Sequence, residues 1–221
     1  SGRLDSSYYD LLASEARLTS LLAIAKGDVP LNHWLHLARP ITQVGGVRTL
    51  LSWSGTMFEY LMPALLCRHY PDTLLEQSCR AAVQYQISYG QGRQIPWGIS
   101  ESSFHFFDAN QVYQYRAFGV PGLGFKRGLA DDLVITPYAS MLALSFAPLD
   151  VLQNLEHLKK MDMVGLYGLY EAVDFTADRL GTGQKYAIVR SYMAHHQGMI
   201  LLSLCNFLCR ESMVRRFHAD L

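Results

Sequence analysis

The sequence has no surplus of charge: 19 Lys and Arg stand against 19 Asp and Glu in 221 residues. Gripping a phosphate backbone needs a basic excess that releases counterions, so nucleic acid is excluded as a partner. No polybasic tail is present. No run approaches the ~18 apolar residues that cross a bilayer, so this segment is not expected to insert in a membrane. The opening SGRLDSS reads as neither a signal peptide nor a start, and the chain reads as an excised soluble piece.

Metal and nucleophile signatures are missing as well. The four cysteines, Cys67, Cys79, Cys205 and Cys209, form no C-x-x-C pair. Cys205 and Cys209 share a helix face, yet no histidine stands at zinc-ligand spacing. The cysteines are therefore expected to be small buried residues of a reducing compartment. There is no H-E-x-x-H and no G-x-S-x-G, and GVPGLGFKRG follows neither the dinucleotide nor the P-loop spacing. No metal and no cofactor is expected, and the glycines are expected to shape a tight loop wall.

What is present is helical periodicity, with half of the residues apolar. Leu11, Leu18, Leu22 and Ala25 recur on one helix face in YYDLLASEARLTSLLAIAK, with Asp5 or Ser6 as cap. Further helices are expected in PLNHWLHLAR, in SGTMFEYLMPALLCRHY with a kink at Pro63, and in TLLEQSCRAAVQYQISYG with a Thr73/Glu76 capping box. Residues 90–130 break this period with glycines, aromatics and prolines and read as a long structured loop, a kind that is usually functional. Helices resume near Thr136 and at Pro148, and the last long one lies in YAIVRSYMAHHQGMILLSLCNFLC. GLYGLYEAVDF reads as a second loop, and strand signals are confined to KYAIVR and part of the aromatic loop. The expected class is all-α, as an orthogonal bundle or part of an α/α-toroid.

Carboxylates among rings are the chemical signal. Glu15 is placed mid-helix in LLASEARL, either solvated or on a small-residue face that a ligand can approach. Glu59 in SGTMFEYLMP is either a substrate-binding acid or a buried one satisfied by a neighbour. Glu101 lies between Ser100 and Ser102, whose hydroxyls are expected to orient it or lower its pKa. Glu171 and Asp174 are flanked by rings in LYEAVDF. Such clusters suit carbohydrate, whose C–H faces stack on rings and whose hydroxyls pair with polar groups. Glycosyl transfer then uses two carboxyl groups across the bond. The adjacent His195 and His196 diverge by about 100° on a helix and are poor co-ligands. One of them is open to a hydrogen-bonding role at a pocket or to a place in the core.

With these residues assembled, YYDLLASEARLTSLLAIAKGDVPLNHW, LLSWSGTMFEYLMPAL, WGISESSF, YQYRAFGVPGLGFKRGLADDLVITPYAS, GLYEAVDF and VRSYMAHHQGM resemble the glycoamylase-like domain of cyclic β-1,2-glucan synthases. Endo-β-1,2-glucanases share that domain. The resemblance runs from about Tyr8 to about Cys209, so residues 1–221 read as one domain fragment. It implies an (α/α)6 barrel, of which this chain would be roughly the C-terminal half. It also implies action on β-1,2-glucan, and as partners the remaining domains of a larger membrane-associated synthase, in which this segment is a cytoplasmic domain of a bacterial inner-membrane protein. Matched by motif, Glu15 would be the general acid/base and Glu101 the nucleophile of a retaining transglycosylation, with Asp174 the base in an inverting hydrolase. Trp53, Trp97, Tyr113, Tyr115, Phe118 and Tyr170 would then line subsites, with Arg116, Lys126, Arg127 and His195 as hydroxyl partners.

Overall fold

In a computed structural model that describes residues 7–219, eight helices carry most of the regular structure, but nine short strands interrupt them. About 40% of the chain is helical, so the all-α expectation is corrected to a helical frame with four small sheets. Among the described residues no helix is long and apolar enough to cross a membrane.

The N-terminal segment is less helical than its periodicity implied. Helix α1 spans only Ala16–Ala25, and α2 is the single turn His33–His36. Leu11 lies outside α1 and is buried through a parallel bridge to Ala38. Of the expected face only Leu11 is fully buried, and the proposed caps Asp5 and Ser6 lie outside the described residues. The buried residues of α1 are instead Ser20 and Arg17, whose guanidinium donates to the carbonyls of Ser14, Glu59 and Tyr60. That cation ties α1 to α3, Met57–Leu61, using carbonyl oxygens rather than a carboxylate.

Between them a hairpin of β1, Ile41–Val44, and β2, Val47–Leu50, leads into the turn of residues 52–56. Helix α3 runs into a 3-10 turn, Met62–Leu65, so the Pro63 irregularity is present. Helix α4, Leu74–Gln91, starts as expected, with Thr73 Oγ1 accepting the Glu76 N–H. The reciprocal half of the expected Thr73/Glu76 capping box is missing, because the Glu76 carboxylate pairs with Arg80 one turn on. The reciprocal capping box belongs to Thr56 and Glu59.

The aromatic loop contains a bulged hairpin of β3, Ser102–Phe107, and β4, Tyr113–Arg116. After it, β5, Val134–Ile135, pairs with β8, Ala172–Asp174, which pairs with β9, Ala187–Val189. The segment expected as a second loop is thus mostly strand, with β6, Val164–Gly165, and β7, Gly168–Leu169, forming a further hairpin. Helices α5, Pro137–Leu142, and α6, Pro148–Lys160, begin at their prolines, where a missing N–H costs nothing. Helix α7, Ala194–Leu208, is followed by a further helix α8, Ser212–Ala219. The cysteines are free; Cys79 is buried as expected, whereas Cys209 is exposed.

The glycine run has a physical cause. A Cβ on Gly119 would sit 1.7 Å from the Ser54 carbonyl oxygen, and one on Gly124 would sit 2.4 Å from the Gly55 nitrogen. Two backbones therefore pack in direct contact, joined by the Val120 N–H to the Gly55 carbonyl, the Phe125 N–H to the Ser52 carbonyl and the Ser52 N–H to the Leu123 carbonyl. Gly119→Ala is expected to lower stability by about 1–3 kcal/mol or more, since neither backbone can give way, and a urea titration reads this as a lower midpoint at unchanged slope.

Candidate active site

The turn of residues 52–56 is organised by one buried carboxylate. Glu59 is 1% exposed, and its oxygens accept from the Ser52 hydroxyl at 2.8 Å and the N–H groups of Ser54 at 3.0 Å and Thr56 at 3.1 Å. Burial pushes its pKa up, and these bonds oppose that rise. Glu59 is therefore the satisfied buried acid of the two readings. The charge of Glu15 acts on Glu59, and the charge of Glu59 acts on Glu101, so the three carboxyl groups share one electrostatic neighbourhood.

Glu15 is not mid-helix. It occupies the position just before α1, where the Tyr9 hydroxyl donates to its two oxygens at 3.1 and 3.2 Å and Ser14 Oγ to one of them at 3.3 Å. The Tyr9 ring stacks on Trp53 with centroids 5.9 Å apart, and Trp53 meets Phe125 at 6.1 Å. Tyr9 and Phe125 are about half exposed, so the three rings form an open apolar platform beside an acid. Burial and the adjacent Glu15 push the Tyr9 phenol well above its ordinary pKa, which keeps it a donor.

Glu101 sits in the segment before β3, at the edge of the core. Its Oε2 accepts from Ser100 Oγ at 2.9 Å, and the Tyr138 hydroxyl lies 2.8 Å from Ser100 Oγ and 3.3 Å from Oε2. Ser100 Oγ is itself fixed by the Phe58 N–H of α3 at 3.0 Å. The expectation of a Ser100/Ser102 pair is corrected: Ser102 Oγ is buried without a hydrogen-bond partner among the described residues, and Tyr138 takes that place. The expected lowering of pKa is reversed too. Burial, with the charge of Glu59, outweighs the hydrogen bonds and pushes Glu101 up to about 7.

Beside Glu101 lies a second buried group. Glu171 Oε2 accepts from His196 Nδ1 at 2.9 Å, and the His196 ring stacks on Tyr138 with centroids 3.8 Å apart. Tyr115 is half exposed, 6.4 Å from His195 and 6.1 Å from His196. Burial, then Glu101 and Glu171, push its phenol pKa up, which puts Tyr115 beside both acids.

Other expected site residues lie elsewhere. Trp97 and Phe118 are buried members of the core, not open walls. Tyr113 packs on Phe107 at 4.3 Å, and Tyr170 packs on Tyr192 at 5.3 Å under Arg190. Arg116 pairs with Asp132 at 2.9 Å, and Lys126 Nζ donates to the Ala117 carbonyl at 2.7 Å. With Arg127 they line a separate cavity of about 380 Å³. Asp174 is fully buried, accepting from Arg179 Nε at 2.7 Å and from the N–H groups of His105 and Thr176. A carboxylate so filled has no lone pair facing open space, which argues against a base. Tyr9, Phe125, Tyr138, Glu171 and His196 were not among the expected site residues. Only Glu171 and His196 carried a signal, an acid among rings and a histidine beside another.

The class so defined is a helical frame in which Glu101 lies desolvated at the core's edge and Glu15 lies beside an aromatic platform. The chain belongs to the glycoamylase family: the model described as "Glycoamylase: Putative glucoamylase" matches residues 7–220. It is 50% identical over 217 residues to the cyclic β-(1,2)-glucan synthase NdvB of Rhizobium meliloti (strain 1021), covering 98% of this chain and 8% of that protein. The chain thus spans under a tenth of that relative's length. Two solved structures share the fold at TM-score 0.57. The endo-β-1,2-glucanase of Chitinophaga pinensis, in complex with sophorotriose and glucose, is 15% identical over 81% of this chain and 43% of its own. The β-1,2-glucanase of Parabacteroides distasonis is 14% identical over 92% of this chain and 29% of its own.

Two expectations follow. Because burial raises Glu101 from an ordinary value near 4.5 to about 7, the stability it lends is complete below pH 4.5 and lost as pH rises through 7. Glu101→Gln is therefore expected to melt higher than the parent at pH 8, by up to about 3 kcal/mol, and to match it near pH 4. Asp174→Ala is expected to cost about 1–3 kcal/mol, measured by denaturant unfolding, because the N–H groups of His105 and Thr176 lose their acceptor while Arg179 keeps its pair with Asp132.

Proposed function

We propose that this chain is a carbohydrate-active catalytic segment that processes β-1,2-glucan with the carboxyl pair Glu15 and Glu101. The observation that carries the reading is the Glu101 carboxyl, raised to about 7 by burial and coupled through Glu59 to Glu15, which stands beside a ring platform. A carboxyl that is half protonated at neutral pH suits a proton donor. This supports the reverse of the roles that the motif match implied, with Glu101 as acid/base and Glu15 as nucleophile.

In the transglycosylation that the name of the NdvB relative favours, Glu101 protonates the leaving O2 as the C1–O2 bond breaks, and the Glu15 carboxylate bonds to C1. The 2-hydroxyl at the chain's own far end then gives its proton back to Glu101 and attacks C1, which frees Glu15 and closes the ring. Trp53, Tyr9, Phe125 and Tyr115 would hold the sugar faces, and His195 would meet a hydroxyl. A second reading, an inverting endo-β-1,2-glucanase, draws on the likeness to the glucanase structures. A glucan-binding module without turnover is the third. We further propose that the chain forms about half of an (α/α)6 toroid and works with the other domains of a membrane-associated synthase, as a cytoplasmic domain.

The test uses linear β-1,2-glucan and the chain together with the rest of its catalytic domain. Glu101→Gln and Glu15→Gln are each expected to lower kcat by about 10²–10⁴ with the fold intact by circular dichroism. Parent activity should fall as pH rises through 7, where Glu101 loses its proton. Cyclic product with retained anomeric configuration supports the transglycosylase, whereas linear inverted product supports the glucanase. Full activity in Glu101→Gln would sink both.

A further inference from the structure

We propose that Glu171 and His196 form a buried positioning pair for Glu101, acting through the ring and hydroxyl of Tyr138. The proposal rests on Glu101 being the reacting acid. Glu171 and His196 are each 2% exposed, and no part of the mechanism above uses them. Glu171 joins three elements. Its Oε2 takes the His196 Nδ1 proton of α7, its Oε1 takes the Ser103 N–H of β3 two residues beyond Glu101, and its carbonyl takes the Thr136 hydroxyl at the start of α5. The His196 ring then lies on Tyr138 at 20° between planes, and the Tyr138 hydroxyl meets Ser100 Oγ and Glu101 Oε2.

For stability alone such a pair adds little, because the desolvation of two polar groups cancels most of their attraction and an apolar pair of the same shape would pack as well. What an apolar pair would not do is fix both the backbone after Glu101 and the plane of the ring that carries its hydroxyl partner. With Glu171 as acceptor the imidazole proton resides on Nδ1, and Nε2 is buried with no hydrogen-bond partner among the described residues. The other groups around this ring are His195 at 4.0 Å on the same helix and Tyr115 of β4, with Glu101 beyond Tyr138.

The test is a carbon-13 NMR titration of the Glu101 carboxyl in the full chain, read for the parent, Tyr138→Phe, His196→Asn and the double variant. Asn keeps a donor for Glu171 and removes the ring. Each single variant is expected to move the midpoint, near 7 in the parent, by on the order of half a pH unit. The double variant should move it no further than the larger single change, since the two act in series. A lowered Tm with an unmoved midpoint in His196→Asn, or shifts that simply add, would overturn the pair. Should His196→Asn fail to fold, Glu171→Gln takes its place with the same outcomes. Turnover retained in Glu101→Gln would remove the catalytic reading alone, because the titration judges the coupling without any reaction.

Discussion

The buried Glu59 carboxylate is the constraint on which the site depends. Taking a carboxylate out of water costs several kcal/mol, and it is tolerable here because three donors from residues 52–56 converge on it. Those donors fix a turn that would otherwise be an ordinary loop. Against the fixed turn the run from Gly119 to Gly124 packs backbone to backbone, with the Ser52 and Tyr60 hydroxyls both bonded to the Leu123 carbonyl. Trp53 is thereby held between Tyr9 and Phe125. The same charge also acts outward, raising Glu101 and coupling to Glu15. One group thus builds the wall and biases the chemistry beside it.

The two acids proposed for the chemistry stand in different surroundings. Glu101 is desolvated at the core's edge and receives its hydrogen bonds through Ser100, which the α3 backbone and Tyr138 hold in turn. Glu15 stands at a helix start, met by a half-exposed tyrosine. Acid and base roles follow from environments that push titratable groups apart, and burial gives Glu101 a neighbourhood that favours the neutral form.

How much was legible in the sequence follows from the range of the forces involved. Helices α4 and α6 are local objects, set by Thr73 and Pro148 and by apolar period, and both start where those signals place them. The glycine wall was legible as a wall, but the Ser54 carbonyl that demands it lies some 65 residues away and no spacing rule connects them. Glu15 and Glu101 were legible as acids among rings. Their roles were not, because a serine neighbour in sequence implies a lowered pKa while burial, a tertiary property, raises it. Tyr138 was illegible as a partner of Glu101, since a tyrosine in a buried helix reads as core, and the histidine pair was legible as pocket or core but not as reaching Glu101 through Tyr138.

The aromatic stretch shows why one segment must serve two purposes. A proton donor needs dry surroundings to hold its proton near neutral pH, whereas a sugar platform needs open rings. Trp97, Phe104 and Phe118 turn inward and extend the core under Glu101, while Phe106 and Tyr115 of the same hairpin remain half exposed. The division runs along the hairpin rather than between its faces: β3 is buried from Ser102 to Phe104 and open at Phe106 and Phe107, although Phe104 and Phe106 stack on one face. A strand that starts in the core beside Glu101 and leaves it at Phe106 thus brings a desolvated acid and exposed rings onto one short element of a helical frame.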